Sequence, residues 1–205
     1  MNYVEINGVR IELNEAQTKQ LAESFALDCK GKKLADYSKS EVVKIGKREF
    51  IVLDQEEGRT HLLLKSLLVE NTEFGKCNNY NCSKVDEICD NFAVELTDAV
   101  GEENVLPFTV DLTANDGLKC YGSVERRAAL LTAEQYRKYV YIIDEHKIDK
   151  WWWLATPFST EKHNDTDWVE CVSPDGDIGY DGYYGSNCNG VRPFCILKSD
   201  IFVSE

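Results

Sequence analysis

Asp175, Asp177, Asp181, Asn187 and Asn189 place five hard oxygen ligands in a short span, the donor type that calcium takes. Their spacing lacks the terminal Glu of an EF-hand loop, so the oxygens do not select a calcium site. Eight cysteines, at 29, 77, 82, 89, 120, 171, 188 and 195, form no Cys-x-x-Cys pair and match no zinc spacing. The chain is too long and too apolar to need a disulfide framework, so reduced structural thiols are expected. Cys195 lies in an apolar run, Phe194-Cys195-Ile196, where burial raises a thiol's pKa and dulls its reactivity. His61, His146 and His163 have no partner at i+3 or i+4, and none adjoins a Ser or Cys in a nucleophile pattern. No Gly-rich phosphate loop precedes a helix, and no motif selects two of the 36 acids as a glycosidase pair. The expectation is a chain with no catalytic residues, no resident metal and no cofactor.

A different chemistry is concentrated between Trp151 and Phe194. Three consecutive tryptophans, Trp151-Trp152-Trp153, are costly to leave in water, so they are a buried floor or a binding surface. In a strand Trp151 and Trp153 share one face and Trp152 takes the other. Burial on both faces is the plain expectation, and one indole lining a ligand platform is the alternative. Residues 159–190 are rich in Asp, Asn, Ser and Gly with interleaved tyrosines, and carry Lys162 as their one Lys and no Arg. That palette suits turns, and it also suits displayed loops that combine rigid ring contacts with adaptable hydrogen bonds. Trp168, Tyr180, Asp181, Tyr183, Tyr184, Asn187 and Asn189 are therefore the candidate ligand-binding residues.

The elements that must position these residues can be read along the chain. Tyr3–Ile6 and Val9–Leu13 flank Asn7-Gly8, a hairpin signal, and Asn14 with Gln17 makes a capping-box pattern for a helix to about Leu27. Lys30–Ser40 is polar and reads as a linker, which gives residues 1–40 as a hairpin-helix docking or assembly element and 41–205 as the main domain. Val42–Ile45 and Glu49–Leu53 bracket Gly46-Lys47 as a further hairpin, and Asp54–Gly58 turns into His61–Lys65. Their continuous apolar runs predict strands covered on both sides. Val85–Val100 predicts a helix with Val85, Ile88, Cys89, Phe92 and Leu96 on one face. Thr132 with Gln135 caps a short helix to Tyr139, and Val140-Tyr141-Ile142-Ile143 reads as a buried segment leading to the tryptophans. The order is α+β, with a mostly antiparallel sheet rather than βαβ units.

At 205 residues the chain fits one sizeable domain with a small appendage, and its 43% apolar content supports a real core. A net charge of −13 and a pI of about 4.7 argue against direct binding of nucleic acid or anionic lipid. No run of about 18 apolar residues is present, and the N-terminus lacks a signal peptide's basic flank and apolar stretch. Synthesis in the cytoplasm without a signal peptide is the expectation, with virion association after lysis as the route outward.

Several motifs in one order resemble an uncharacterised domain family of gut-type bacteria and their prophages. They are Gly46 with Phe50-Ile51-Val52-Leu53-Asp54, Trp152-Trp153-Leu154-Ala155-Thr156-Pro157, Asp175-Gly176, Gly182-Tyr183 and Gly190-Val191-Arg192-Pro193. The resemblance covers about three quarters of the chain; Ala155 departs from it, standing where the family usually carries Arg. That family is similar to the C-type-lectin-like fold, including the branch shared with formylglycine-generating enzymes and phage tropism determinants. The resemblance implies a non-catalytic recognition module with two helices and a mostly antiparallel sheet, whose partners are a protein or glycan on a host surface. The N-terminal element would engage a phage assembly partner. The Glu-Pro-Asn and Trp-Asn-Asp patterns of calcium-dependent lectins are missing. The loop palette also matches the residue types that adenine-directed diversification of Asn codons produces. Two alternatives stand beside this reading. One is an acidic inhibitor docking on a host protein. The other is a copper-thiolate oxidase, which the enzyme branch of the fold suggests through Cys188 and Cys195. Arg192 is expected to meet an Asp or carbonyls within the domain.

Overall fold

β1 (Asn2–Ile6) and β2 (Val9–Leu13) pair antiparallel with Ile6 opposite Val9, the register that a two-residue connection at positions 7 and 8 requires. The computed structural model describes residues 2–6, 9–19, 31–184 and 189–204, so the Asn7-Gly8 turn itself lies outside them. Asn14 Oδ1 accepts from the Gln17 backbone N–H at 2.8 Å, and the Gln17 side chain accepts from Asn14 N–H at 3.0 Å. This is the expected capping box, and residues 15–19 are helical. The predicted run of that helix to Leu27 lies outside the described residues.

Residues 31–36, read above as part of a linker, are built into the body instead. β3 (Gly31–Lys33) pairs with the C-terminal strand β16 (Phe202–Ser204), and Leu34 is fully buried in the core. Backbone N–H groups of Leu34 and Ala35 donate to the carbonyls of Ile201 and Ser199. Leu34, Ala35 and Tyr37 are too few apolar side chains in a polar stretch to set a period, which is why the pattern reads as linker.

The central sheet is built from β4 (Val42–Ile45), β5 (Arg48–Glu56), β6 (Arg59–Leu64), β7 (Val105–Leu106), β10 (Ala128–Ala129) and β15 (Phe194–Lys198). Its order is β10-β15-β6-β5-β4, with β7 also on β15, and every pairing is antiparallel. Glu57 and Gly58 both take positive φ, 44° and 79°, the mirror-image turn whose twist matches the strands it joins. The continuous apolar runs are covered on both sides, as expected. Phe50, Val52, Leu62, Leu64, Cys195 and Leu197 face one core with Phe92 and Leu96 of α1 (Lys84–Val100). Ile51, Leu53, Leu63, Phe194 and Ile196 face another with Tyr136, Tyr139 and Ile143 of α2 (Ala133–Glu145).

α2 begins at the predicted capping box, with Gln135 N–H on Thr132 Oγ1 at 3.2 Å and Thr132 N–H on Gln135 Oε1 at 2.9 Å. It runs on through Val140–Ile143, which the sequence pattern assigned to a buried segment. Tyr136, Tyr139 and Ile143 recur at helical spacing on the core face, while Tyr141 points to solvent. Packing against the sheet overrides the β-branched run.

A hairpin of β8 (Phe108–Asp111) and β9 (Ser123–Arg126) precedes the second sheet. That sheet holds β11 (Trp151–Pro157), β12 (Trp168–Val172), β13 (Ile178–Gly182) and β14 (Asn189–Gly190) in the order β13-β12-β11-β14. Its pairings are antiparallel except β11 with β14. The whole is α+β and mostly antiparallel. Among the described residues, no helix is long and apolar enough to cross a membrane.

Candidate functional site

The tryptophan run splits between the two faces of the second sheet, as strand alternation requires. Trp152 is buried against α2, its ring edge-on to Tyr136 at 5.7 Å. Trp153 is buried on the opposite face, edge-on to Phe74 at 5.5 Å, and donates its indole N–H to the Thr72 carbonyl at 2.9 Å. Trp151, 38% exposed, lies over Gly179 at the sheet's end. The floor is therefore rigid, and two of its three indoles are unavailable to a ligand.

The face that α2 covers continues beyond the helix as a row of exposed rings. Register places Glu170 opposite Tyr180 and Trp168 opposite Gly182, so Trp168, Glu170 and Tyr180 share this face. Trp168 meets Tyr180 edge-on at 5.7 Å, and Phe158 lies against Tyr180 at 5.0 Å. Gly182 leaves room on the same face for Tyr184: a Cβ at 182 would stand 2.8 Å from the Tyr184 ring. Trp168, Tyr180 and Tyr184 are 37%, 59% and 60% exposed. On the same face stands Glu170, only 3% exposed, whose Oε2 has no hydrogen-bond partner among the described residues. Burial raises its pKa above the usual carboxylate range, opposed by Arg137 of α2.

The other candidate residues fall elsewhere. Asp181 pairs with Val169 on the opposite face, where its Oδ2 accepts from Asn189 Nδ2 at 2.7 Å and its Oδ1 from the Gly182 N–H at 2.8 Å. Tyr183 packs on that side as well, with its ring edge-on to Tyr184 at 5.2 Å. Asn187 lies outside the described residues, and so does Cys188. Asp177 precedes β13 and Asp181 is its penultimate residue, about 13 Å apart at strand rise, so Asp177 and Asp181 do not converge on one point. No group of three or more His, Cys, Asp or Glu able to hold a metal occurs among the described residues. Cys195 is buried on the α1 side of the central sheet, where burial pushes its thiol pKa up.

Two polar clusters bear on chemistry. Ser159 Oγ donates to Asp116 Oδ2 at 2.5 Å, and His163 Nδ1 meets the same oxygen at 2.9 Å. The carboxylate stands between hydroxyl and imidazole, so no base reaches the serine in the manner of a triad. Ser40 Oγ bonds the Glu145 carboxylate and lies 3.1 Å from His146 Nε2, while that nitrogen is 2.8 Å from the Ser40 carbonyl. As donor to the carbonyl the nitrogen cannot accept the hydroxyl proton, and the contact ties residue 40 to the end of α2.

No family model, curated protein or solved structure matches the chain.

The exposed row is held from below by two buried polar anchors. Asn78 Nδ2 donates to the carbonyls of Ser159 and Trp168, its Oδ1 accepts from Tyr121, and its N–H donates to the Thr166 carbonyl. The loop between β11 and β12 is thereby fixed at both ends. Arg192 is buried and donates to the carbonyls of Leu64 (2.8 Å), Lys65 (3.0 Å) and His146 (3.3 Å), with its guanidinium over Trp152 at 5.3 Å. Carbonyls, not an Asp, satisfy it, and burial pushes its pKa down to about 10. A groove of about 440 Å³ between α1 and β9 lies apart from the ring row. Its arginines are already engaged, Arg126 by Asp86 and Arg127 by Glu102.

Glu170 and Phe158 are site residues that the sequence pattern did not single out. The signal present was alternation: Trp168, Glu170 and Val172 share one face of a strand whose other face is apolar.

Proposed function

We propose that the chain is a non-catalytic recognition module of C-type-lectin-like design, phage- or prophage-encoded, which reads a protein or glycan ligand on a host surface. The observation that carries this reading is the row Trp168, Tyr180 and Tyr184, exposed together on one face of a sheet with a buried tryptophan floor. Exposed aromatic rings on a rigid support are hot-spot material, because they bury large area with little loss of side-chain freedom. The α+β, mostly antiparallel arrangement supports the lectin-like part of the reading. Residues 1–40 would attach the module to an assembly, and the Asn, Asp and Tyr content of the loops suits a diversified surface. The test is binding of the purified chain to a panel of host envelopes and glycans. Binding lost in Tyr180→Ala and Trp168→Ala supports the reading, and no binding across the panel removes it.

The net charge of −13 favours a second reading, docking of an acidic face on a basic host protein. Salt separates the two. Charge-driven docking collapses as ionic strength rises, whereas ring-anchored binding persists at about 0.5 M salt, where the Debye length has fallen to a few ångström. A copper-thiolate oxidase is the minor alternative. Stoichiometric copper by elemental analysis, lost in Cys188→Ser or Cys195→Ser, would promote it.

A further inference from the structure

We infer that Glu170 and the rings beside it form a subsite for an organic ammonium group, and this rests on the recognition face proposed above. Glu170 is a buried carboxylate whose Oε2 has no hydrogen-bond partner among the described residues, and such groups are rare because each costs the full desolvation of the atom. Arg137 acts on it through space but forms no ion pair with it. Tyr180 stands directly across the strand pair, Trp168 two residues along the same face, and Phe158 against Tyr180. A buried carboxylate with aromatic rings on the same strand face is the neighbourhood that attracts a cation. The rings contribute their quadrupoles and the acid its charge in a poorly hydrated place.

The ligand class follows from the geometry. No hydrogen bond or ion pair engages the Glu170 carboxylate among the described residues, and aromatic rings beside a carboxylate are the surroundings that hold ammonium and methylated ammonium groups. The net charge of −13 draws cations to the surface in general, and the rings decide which of them stay. Entry requires the Tyr180 side chain to swing outward. It is exposed and held by ring contacts alone, with no side-chain hydrogen bond among the described residues. An ammonium group reaches a surface module from two sources, a quaternary headgroup or a lysine side chain.

The experiment titrates the full chain with tetramethylammonium and, separately, with Nα-acetyl-lysine amide, read by calorimetry and tryptophan fluorescence. Saturable binding of at least one is expected, weakened about tenfold in Glu170→Gln and in Tyr180→Ala, with Glu170→Gln unfolding no earlier than the parent. Preference for tetramethylammonium assigns the quaternary source, and preference for the lysine derivative assigns a protein. Neither cation saturating by about 100 mM, or equal binding in Glu170→Gln, overturns the inference. Should host-surface binding depend on Tyr180 yet stay undiminished in Glu170→Gln, the recognition reading stands and the ammonium subsite falls. Loss of both kinds of binding from the parent chain removes the two together.

Discussion

Glu170 works against the folded state at the pH where carboxylates are charged. Its pKa is raised in the fold by burial, so the folded chain holds that proton more tightly than the unfolded chain does. The stability this confers is complete below the ordinary carboxylate range and disappears as pH rises through the raised value. Glu170→Gln should therefore raise the melting temperature at neutral pH, and the gain should shrink towards acid pH. Arg137 from α2 and Tyr180 from β13 are the groups that face it, so at neutral pH Arg137→Gln should destabilise the parent more than it destabilises Glu170→Gln. Thermal unfolding of the parent, the two single variants and the double variant as a function of pH checks both. At the same scale, Tyr180→Ala and Trp168→Ala should each weaken ligand binding by about 1–2 kcal/mol, as anchors do. Both side chains are substantially exposed, so melting temperature should move little. A large loss of stability in either would make the ring a packing element instead.

At the scale of elements, α2 decides where the ring row can be seen. Its N-terminal turn is held by the Thr132–Gln135 capping box and by Thr156 Oγ1, which accepts from the Ala133 N–H at 2.9 Å. The helix covers Trp152, Leu154 and Val172 and stops short of Trp168 and Tyr180. Thr132→Ala removes the cap and should cost about 1 kcal/mol, measured by urea unfolding. Gly182→Ala acts on the edge of the same sheet. The new methyl meets the Tyr184 ring, so the ring must leave its seat while the backbone ladder stays. Near-parental stability with altered binding is the expected outcome, and a change in stability with unaltered binding would remove Tyr184 from the recognition face.

Arg192 operates at the scale of the whole molecule. Its three carbonyl acceptors belong to the end of β6, the residue after it and the C-cap of α2, and its guanidinium lies over Trp152 of the second sheet. One side chain thus joins the central sheet, the helix and the sheet that carries the rings. Arg192→Ala leaves buried carbonyls without donors and opens a cavity, and should cost about 3 kcal/mol or more in chemical denaturation. Arg192→Lys should recover only part of this, because a point ammonium cannot reproduce a planar fork spread over three acceptors. Full recovery by Lys would mean that charge over Trp152, not hydrogen bonding, is what the position supplies.

Patterns local in the chain were legible before any coordinates. The Asn14 and Thr132 capping boxes and the Gly46-Lys47 hairpin depend on neighbours a few residues away, and the doubly covered strands and the buried Trp152 and Trp153 are marked by local runs of apolar side chains too costly to leave in water. So did the mostly antiparallel α+β class, which follows from strand runs joined by short turns. What needed the tertiary structure was everything set by distant partners. Leu34 became core because Ile201 and Ser199 meet it from the far end of the chain. Val140–Ile143 became helix because the sheet accepted Tyr139 and Ile143 on one face. The site divided for the same reason. Side-chain period two sends Tyr180 to one face and Asp181 to the other, and composition alone grouped them. Glu170 was hidden in the sequence as an ordinary polar residue of an alternating strand. Only the pairing with β13 and the end point of α2 leave that carboxylate buried beside aromatic rings and without a hydrogen-bond partner among the described residues.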